Sequence, residues 1–215
     1  MEFNKKDFIE FAIRCEVLRF GEFVLKSGRV SPYFFNSGLF KSGEKLARLA
    51  EFYAAAIRAS GIVFDMLYGP AYKGIPLVAA VAVCLSNDFG LDVPYCFNRK
   101  EAKDHGEGGH FIGADPGGRV LIIDDVVSAG TSVRESVALL DAAGATAVGL
   151  AVSMDRQERG TDERSAIQAV EADLGLKVIS LIRLDDLVDY LASDPTRREA
   201  LDRVRAYRET YGTPG

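Results

Sequence analysis

Short apolar runs alternate with helical patterns along the chain from about residue 60 onwards. The runs that predict strands cover residues 65–68, 95–98, 120–124, 147–154 and 178–181. The patterns that predict helices cover residues 74–85, 131–143 and, less sharply, 163–174. Apolar strands that alternate with helices indicate a sheet buried on both faces. We therefore predict an α/β fold with a mostly parallel central sheet flanked by helices.

The first 60 residues follow a different pattern. Asn4 predicts the cap of a helix that runs to about Val17, and residues 20–40 read as a hairpin with its turn at Ser27-Gly28. Ser42 begins an amphipathic helix that ends at Gly61. We call residues 1–40 the hood. The whole chain, 1–215, is predicted to form one domain, with the hood, an α/β core of about 60–182, and helices over 185–215 that serve packing.

Composition excludes several classes of partner. Acidic residues outnumber basic ones, 31 to 26, so no global basic field favours nucleic acid or an anionic membrane. No apolar run approaches the roughly 18 residues of a membrane span. The three cysteines, Cys15, Cys84 and Cys96, lack CxxC spacing and fit a reducing compartment. These features predict a soluble, cytoplasmic protein that must hold any phosphate ligand by a local site.

The strongest chemical signal follows the predicted strand 120–124. The strand ends in Asp124-Asp125, and the small residues from Ser128 to Ser132 lead directly into a helix. Amides and hydroxyls of such a loop converge on a phosphate at the positive end of the helix. The two acids would repel a phosphate but suit the hydroxyls of a vicinal diol. A ribose 5-phosphate satisfies both demands, although an acidic strand end followed by an ordinary helix cap is the simpler alternative.

This segment resembles the phosphoribosyl pyrophosphate motif of type I phosphoribosyltransferases. It contains no GxxxxGK[ST] loop and no GxGxxG turn. Two further segments are compatible with such a donor. Residues 68–76 form a Gly- and Pro-shaped loop with Lys73, which reads as a pyrophosphate cradle or as an ordinary turn. Residues 98–110 hold both histidines, His105 and His110, among cations and glycines, and read as a mobile lid or as a solvated charged loop.

The hairpin narrows the resemblance to the orotate phosphoribosyltransferases. The stretch from Lys26 to Asn36, KSGRVSPYFFN, and the stretch from Asn98 to Gly108, NRKEAKDHGEG, are similar to signatures of that family. The implied acceptor, orotate, is planar and anionic, and Arg156 suits its carboxylate. Phe34 and Phe35 would supply an aromatic wall and backbone groups, although an aromatic pair is more often part of a core.

The resemblance also implies roles for individual residues. Contacts to the donor are implied for Lys26, Tyr72, Lys73, Arg99, Lys100, Lys103, His105, Asp124, Asp125, Val126, Val127, Ser128, Ala129, Gly130, Thr131 and Ser132. Contacts to orotate are implied for Phe34, Phe35, Ser128 and Arg156, and catalytic roles for Lys103, His105, Asp124 and Asp125. Ser128 stands where the family more often has Thr, and the hydroxyl is retained.

The expected reaction converts orotate and phosphoribosyl pyrophosphate to orotidine 5-phosphate and pyrophosphate, in pyrimidine biosynthesis. Mg²⁺ is the expected cofactor, held mainly by oxygens of the donor rather than by a protein cage. The resemblance also implies a homodimer in which the lid of one subunit reaches the site of its neighbour. A purine phosphoribosyltransferase and a non-catalytic regulator that senses the donor remain the alternative functions.

Overall fold

The computed structural model of the chain describes residues 3–25, 27–103, 109–160 and 163–213, with only the backbone described for 101–103 and 109. Seven α-helices are found in these residues. They are α1 (Lys5–Arg14), α2 (Gly43–Ser60), α3 (Gly74–Phe89), α4 (Thr131–Ala142), α5 (Ala166–Leu174), α6 (Leu184–Ala192) and α7 (Arg198–Tyr211). Single 3-10 turns at Ser37–Leu39 and Pro195–Arg197 link some of them.

Eight strands in the described residues form two sheets. The strands are β1 (Leu18–Val24), β2 (Val30–Phe35), β3 (Met66–Gly69), β4 (Tyr95–Lys103), β5 (Gly109–Gly113), β6 (Arg119–Ile123), β7 (Thr146–Asp155) and β8 (Lys177–Arg183). The large sheet has the order β5-β4-β3-β6-β7-β8, and β5 is its antiparallel strand. The prediction of a mostly parallel sheet flanked by helices is confirmed.

The central strands are buried on both faces, as their apolar sequences predict. Along β6, Leu121 and Ile123 pack into one apolar cluster, whereas Val120 and Ile122 pack into another on the opposite face. All four side chains are fully buried. Side chains alternate along a strand, so two clusters on neighbouring positions mean that helices cover both faces. In the described part of the chain, no helix is long and apolar enough to cross a bilayer.

The hood is a helix and a two-stranded antiparallel sheet. The Asn4 side chain caps α1 by accepting hydrogen bonds from two backbone amides, as predicted. The helix ends at Arg14 rather than near Val17, because Glu16 adopts a left-handed conformation with φ of 59°. β1 pairs with β2 from Leu18–Phe35 to Val24–Val30. Helix α2 begins after Ser42 and ends at Gly61, as predicted.

One prediction about an element is wrong. Residues 98–110 were expected to form a mobile lid or a solvated charged loop without strands, but β4 continues to Lys103 and β5 returns antiparallel to it. Strand β5, GHFIG, is too short and too rich in glycine to give a strand signal by itself. Its pairing with the edge of β4 makes it a strand. The arms of the expected lid are therefore a hairpin.

Candidate active site

The topology of the large sheet places two loops side by side. The chain passes from β3 to β4 on one side and then to β6 on the other side of β3. In an open α/β sheet, ligands bind beyond the carboxyl ends of strands where the order reverses in this way. That position lies between the loop after β3, residues 70–73, and the loop after β6, residues 124–130. These are two of the three segments that the sequence singled out.

Two glycines shape the loop after β3. A Cβ added to Gly69 would lie 2.3 Å from the Gly74 carbonyl oxygen and 2.6 Å from Val78 Cγ1. A Cβ added to Gly74 would lie 2.7 Å from Pro70 Cδ. The strand end and the first turn of α3 thus approach more closely than any side chain allows. The Asn98 Oδ1 atom, on the neighbouring β4, accepts a 2.7 Å hydrogen bond from the Ala71 amide and holds the loop.

The Asp125 carboxylate joins three parts of the chain. Lys73 Nζ lies 2.7 Å from Asp125 Oδ2, so the loops after β3 and β6 are linked by an ion pair. The hydroxyl of Ser37, in the 3-10 turn at the end of the hood, donates to the same oxygen. Asp125 Oδ1 accepts from the amide of Val126 at 2.8 Å. The carboxylate is nearly buried, whereas Lys73 is exposed and free to turn towards a ligand.

Asp124 is buried at the end of β6, and its backbone is held by a side chain of α2. The hydroxyl of Tyr53, in α2, donates a 2.7 Å hydrogen bond to the Asp124 carbonyl oxygen and lies 2.8 Å from Ser153 Oγ. Burial raises the pKa of the Asp124 carboxyl to about 7, and the adjacent Asp125 carboxylate adds to the rise. The Asp125 amide, which donates to Asp124 Oδ1 at 2.8 Å, partly opposes it. The Asp124 carboxyl can therefore bind a proton near neutral pH.

This raised pKa makes stability depend on pH in a defined direction. The pKa of Asp124 rises on folding from 3.8 to about 7, so its stabilising contribution is complete below pH 3.8 and is lost as the pH rises to about 7. The loss is on the order of 4 kcal/mol. Asp124→Asn removes the ionisation and should flatten the fall in unfolding free energy over this range. Urea unfolding at a series of pH values measures it.

The matched control for this experiment is Asp141→Asn, which changes an exposed carboxylate in α4. This control should keep the wild-type pH profile of unfolding free energy. Parallel profiles for the wild type and Asp124→Asn would contradict the assignment of the pH dependence to Asp124.

The loop after Asp125 leads into the amino end of α4. Gly130 occupies the cap position with φ of 73°, a left-handed conformation that favours glycine. Ser128, Ala129, Thr131 and Ser132 are exposed, whereas Val126 and Val127 are partly buried beneath them. Gly130 has no side chain to satisfy the first amides of α4. Those amides and the neighbouring hydroxyls therefore remain available to a phosphate.

Arg134 braces this loop from within α4. Its Nη1 atom donates to the Ala129 carbonyl oxygen at 3.2 Å, and its Nη2 atom donates to Asp173 of α5 at 2.9 Å. Arg164 Nη1 donates to the other oxygen of Asp173 at 2.9 Å. The curl of the loop is thus tied to α5, which is an interaction that the sequence did not indicate.

The cationic segment after Asn98 is described in part. Lys100 Nζ lies 5.0 Å from the centre of the Tyr72 ring, so the edge of β4 contacts the loop after β3. The backbone of Lys103 pairs with Gly109 on β5. The predicted site residue His105 lies outside the described residues, and so does Lys26 of the hood. Arg99 is partly buried on β4, between Asn98 and Lys100.

Phe34 and Phe35 lie on opposite faces of β2 and so cannot both line one aromatic wall. Phe34 stacks on Phe23 with ring centres 5.4 Å apart, and Arg19 lies over both rings. Phe35 is 9% exposed and belongs to the main apolar cluster. Neighbouring residues of a strand point to opposite sides, so only one of the two rings faces the surface. Phe35 can offer a ligand its backbone groups alone.

Arg156 follows the carboxyl end of β7, beside the loop after β6. Met154 pairs with Val126, and the Ser153 amide donates to the Asp125 carbonyl oxygen at 2.8 Å. Arg156 therefore lies at the same edge of the sheet as the two acids. Its guanidinium centre lies 4.7 Å from the centre of the Tyr33 ring, and its Nε and Nη2 atoms donate to Glu158. The hood strand β2 thus covers this end of the site.

Sequence reasoning missed four residues of this arrangement. They are Ser37, Tyr53, Tyr33 and Glu158, each of which contacts a predicted site residue from a distant part of the chain. Ser37, Tyr53 and Glu158 stand in no motif with a local chemical signal, and Tyr33 lies in the stretch from Lys26 to Asn36 but was given no role there. The segment after residue 185 was also interpreted as packing alone, but Thr213 donates to the Gln157 carbonyl oxygen and Gly212 pairs with Glu158. The C-terminal segment therefore supports the loop that carries Arg156.

Comparison with known proteins gives consistent matches. The family model for the phosphoribosyl transferase domain matches residues 39–176. The chain is 58% identical over 212 residues to an orotate phosphoribosyltransferase of Thioalkalivibrio sulfidiphilus, with 99% of this chain and 100% of that protein covered. An orotate phosphoribosyltransferase of Pseudomonas aeruginosa matches with the same identity and coverage. The crystal structure of the Francisella tularensis orotate phosphoribosyltransferase superposes with a TM-score of 0.88 at 44% identity, covering 96% of this chain and 100% of that one.

Proposed function

The chain belongs to the orotate phosphoribosyltransferase family, and from this premise we propose the reaction and the residues that perform it. It transfers the 5-phosphoribosyl group of phosphoribosyl pyrophosphate to orotate, giving orotidine 5-phosphate and pyrophosphate in pyrimidine nucleotide synthesis. The observation that carries the proposal is the junction of Asp124-Asp125 with the Lys73 loop at the switch point of the sheet. A diol site and a cationic loop meet there, as this donor requires.

The donor spans the two loops. The 5-phosphate binds to the amides and hydroxyls from Ser128 to Ser132 at the amino end of α4, and the ribose hydroxyls donate to Asp124 and Asp125. The pyrophosphate lies against residues 70–73, where Lys73 leaves Asp125 and turns to it. The diol then replaces Lys73 and the Ser37 hydroxyl as the partner of the Asp125 carboxylate. Lys26, Tyr72, Arg99, Lys100, Lys103 and His105 complete the set of donor-binding residues in this proposal.

The acceptor binds beside the hood. Arg156 pairs with the carboxylate of orotate through its remaining amine, and Ser128 offers its hydroxyl to the ring. Phe34, on the exposed face of β2, and the backbone of Phe35 complete the contacts proposed for orotate. Arg156 suits an acceptor that carries a carboxylate. A purine base lacks this anion, so the site differs from that of a purine phosphoribosyltransferase. A purine acceptor is therefore not favoured.

The residues act mainly by position and charge. As the bond from C1 to pyrophosphate breaks, positive charge develops on the sugar ring and negative charge on the leaving group. The carboxylates at the end of β6 hold the ribose in line with orotate. The N1 atom of orotate attacks C1 as the bond to pyrophosphate breaks, and the N1 proton leaves with the pyrophosphate. Lys73, Lys103 and His105 stabilise the departing pyrophosphate. Closure of the lid, which residues 98–110 form in this proposal, excludes water, so that the sugar is transferred rather than hydrolysed.

Mg²⁺ fits the donor set of this site as an ion shared with the substrate. Asp124 and Asp125 present hard oxygen atoms, but the described residues contain no group of three or more His, Cys, Asp or Glu that could hold a metal. One or two carboxylates with substrate oxygens are the usual ligands of Mg²⁺. The bound ion offsets the charge of the pyrophosphate group.

We propose further that the protein is a cytoplasmic homodimer in which the lid of each subunit reaches the active site of the other.

The proposed reaction is tested by pyrophosphate release with and without orotate. The chain, phosphoribosyl pyrophosphate and Mg²⁺ should release pyrophosphate rapidly with orotate. Release without an acceptor, or with adenine or hypoxanthine, should be slower by about two orders of magnitude or more, because the site excludes water and lacks a partner for a neutral base. A donor that binds tightly without turnover would favour a sensing regulator, and turnover with a purine would contradict the assignment of the acceptor.

A further inference from the structure

The acceptor end of the site contains a carboxylate that the reaction itself does not require. Glu158 Oε1 accepts hydrogen bonds from Arg156 Nε at 2.9 Å and from Arg156 Nη2 at 2.6 Å. The hydroxyl of Tyr33 donates to the same oxygen at 3.1 Å. The other oxygen, Oε2, lies 4.0 Å from Arg29 Nη1. The side chains of Arg156 and Glu158 are only 18% and 14% exposed, so solvent screens this pair weakly.

These contacts hold the Arg156 guanidinium on one edge and one face. Glu158 occupies the edge formed by Nε and Nη2, and the Tyr33 ring covers a face at 4.7 Å. Ser31 Oγ lies 3.4 Å from Nη2. Tyr33 is itself fully buried and packs edge-on against Tyr207 of α7, with ring centres 6.2 Å apart. Nε and Nη2 are both occupied by these acceptors, whereas no hydrogen bond of Nη1 is found among the described residues.

Glu158 is anchored by two separate parts of the chain. Its backbone pairs with Gly212, and the next amide, that of Arg159, donates to the Tyr211 carbonyl oxygen at 2.8 Å. Arg29 of the hood donates to the Arg159 carbonyl oxygen at 3.1 and 3.2 Å. The carboxylate is thus fixed by the hood and by the C-terminal segment, rather than by the sheet that carries the donor site.

The charges of this cluster leave room for one anion. Arg29 and Arg156 each carry one positive charge, and Glu158 carries one negative charge between them. One positive charge therefore remains, and the single carboxylate of an orotate-like acceptor neutralises it. Partly buried charges are tolerated when they are paired and hydrogen-bonded, so a monoanion completes the cluster.

We propose that Glu158 is a positioning residue that determines specificity for a carboxylate-bearing acceptor. It orients the Arg156 guanidinium so that Nη1 faces the acceptor, and it keeps the two arginines from repelling each other. The inference rests on the proposed function, in which Arg156 binds the carboxylate of orotate. Glu158 does not touch the substrates and acts only through Arg156.

Steady-state kinetics of Glu158→Gln test this role. Loss of the charge frees Arg156 to reorient, so the KM for orotate should rise roughly tenfold, as expected for a weakened charge-assisted hydrogen bond. The KM for phosphoribosyl pyrophosphate and kcat should stay within about twofold of wild type, because the donor site is held by other elements. An unchanged KM for orotate, or an equal rise in both KM values, would overturn the proposal.

The matched control is Glu163→Gln on the same segment. Glu163 is 88% exposed and lies 3.4 Å from Arg159, so it loses the same charge without contact to Arg156. Both KM values should remain at wild-type level in this variant. A rise in the KM for orotate equal to that of Glu158→Gln would mean that charge alone, and not position, causes the effect, and it would overturn the proposal.

A double variant separates positioning from folding. In an Arg156→Gln background, Glu158→Gln should raise the KM for orotate by less than about twofold, because the residue through which it acts is gone. If the two substitutions instead raised the KM for orotate by the product of their separate effects, Glu158 would have a structural role independent of Arg156, and the inference would be overturned. If Glu158→Gln does not fold, Tyr33→Phe removes one donor to the same oxygen and should raise the KM for orotate alone by roughly threefold. An unchanged KM in that variant would equally overturn it.

The proposed function and this inference fail in different ways. Wild-type protein that releases no pyrophosphate with orotate would remove the proposed function. Wild-type turnover with orotate, together with an unaffected Glu158→Gln variant, would remove only the role of Glu158.

Discussion

Asp125→Asn is expected to lower kcat/KM for phosphoribosyl pyrophosphate about 100-fold, with little change in the stability of the fold. The carboxylate accepts the ribose hydroxyls in the proposed complex, and hydrogen bonds to a charged group contribute about 1.5–3 kcal/mol each. Asparagine keeps the size and one oxygen but loses the charge. Its ion pair with Lys73, whose side chain is 60% exposed, contributes at most about 1 kcal/mol to folding.

Initial rates at varied donor concentration and thermal unfolding measure the two effects separately. Asp141→Asn, in the exposed face of α4, is the matched control and should match wild type in both measurements. An Asp125→Asn enzyme with kcat/KM within about threefold of wild type would contradict the assignment of the ribose to this strand end. A variant that loses activity and stability together would assign Asp125 to folding instead.

Lys103→Ala should lower kcat by about 10²–10³-fold, the usual effect of removing one group that stabilises developing charge. In the proposed mechanism, this lysine approaches the departing pyrophosphate when the lid closes. Binding of the donor should weaken much less, because the charge that Lys103 meets is largest in the transition state. Single-turnover kinetics measure the chemical step, and Lys6→Ala, an exposed lysine of α1, serves as the control. A wild-type single-turnover rate would remove the lid from the mechanism.

Mixing two inactive variants tests whether the lid acts across a dimer. Lys103→Ala subunits lack the lid cation, and Asp125→Ala subunits lack the ribose site. In a mixed dimer with shared sites, one site carries both changes and the other carries neither. Purified mixed dimers with two different tags should therefore recover about half of the wild-type activity. No recovery would mean that each lid serves its own subunit.

In the hood, local sequence patterns predicted the secondary structure but not the burial of individual side chains. The hairpin, its turn near Ser27-Gly28 and the Asn4 cap were predictable, because each depends on residues within one turn or one strand. The difference in burial between Phe34 and Phe35 was not predicted from the sequence signature. It follows from the pairing of β2 with β1, which buries Phe35 and stacks Phe34 on Phe23.

The donor motif and the fold class were determined by the sequence alone. Alternation of apolar strands with helices depends on periods of a few residues, and the acids, small residues and helix start from Asp124 to Ser132 lie within a single strand-loop-helix unit. The physical reason is that one short segment contains both the hydrophobic pattern and the chemical groups. The structure and chemistry that such a segment predicts therefore do not depend on where the rest of the chain packs.

Only the tertiary structure decided which distant side chains meet. Ser37 and Asp125 are 88 positions apart, and Tyr33 and Glu158 are 125 apart, yet each pair is joined by a hydrogen bond. These contacts depend on the strand order β5-β4-β3-β6-β7-β8 and on where the hood and the C-terminal segment pack. Burial of apolar surface determines that packing, and it is a property of the whole core rather than of any local motif.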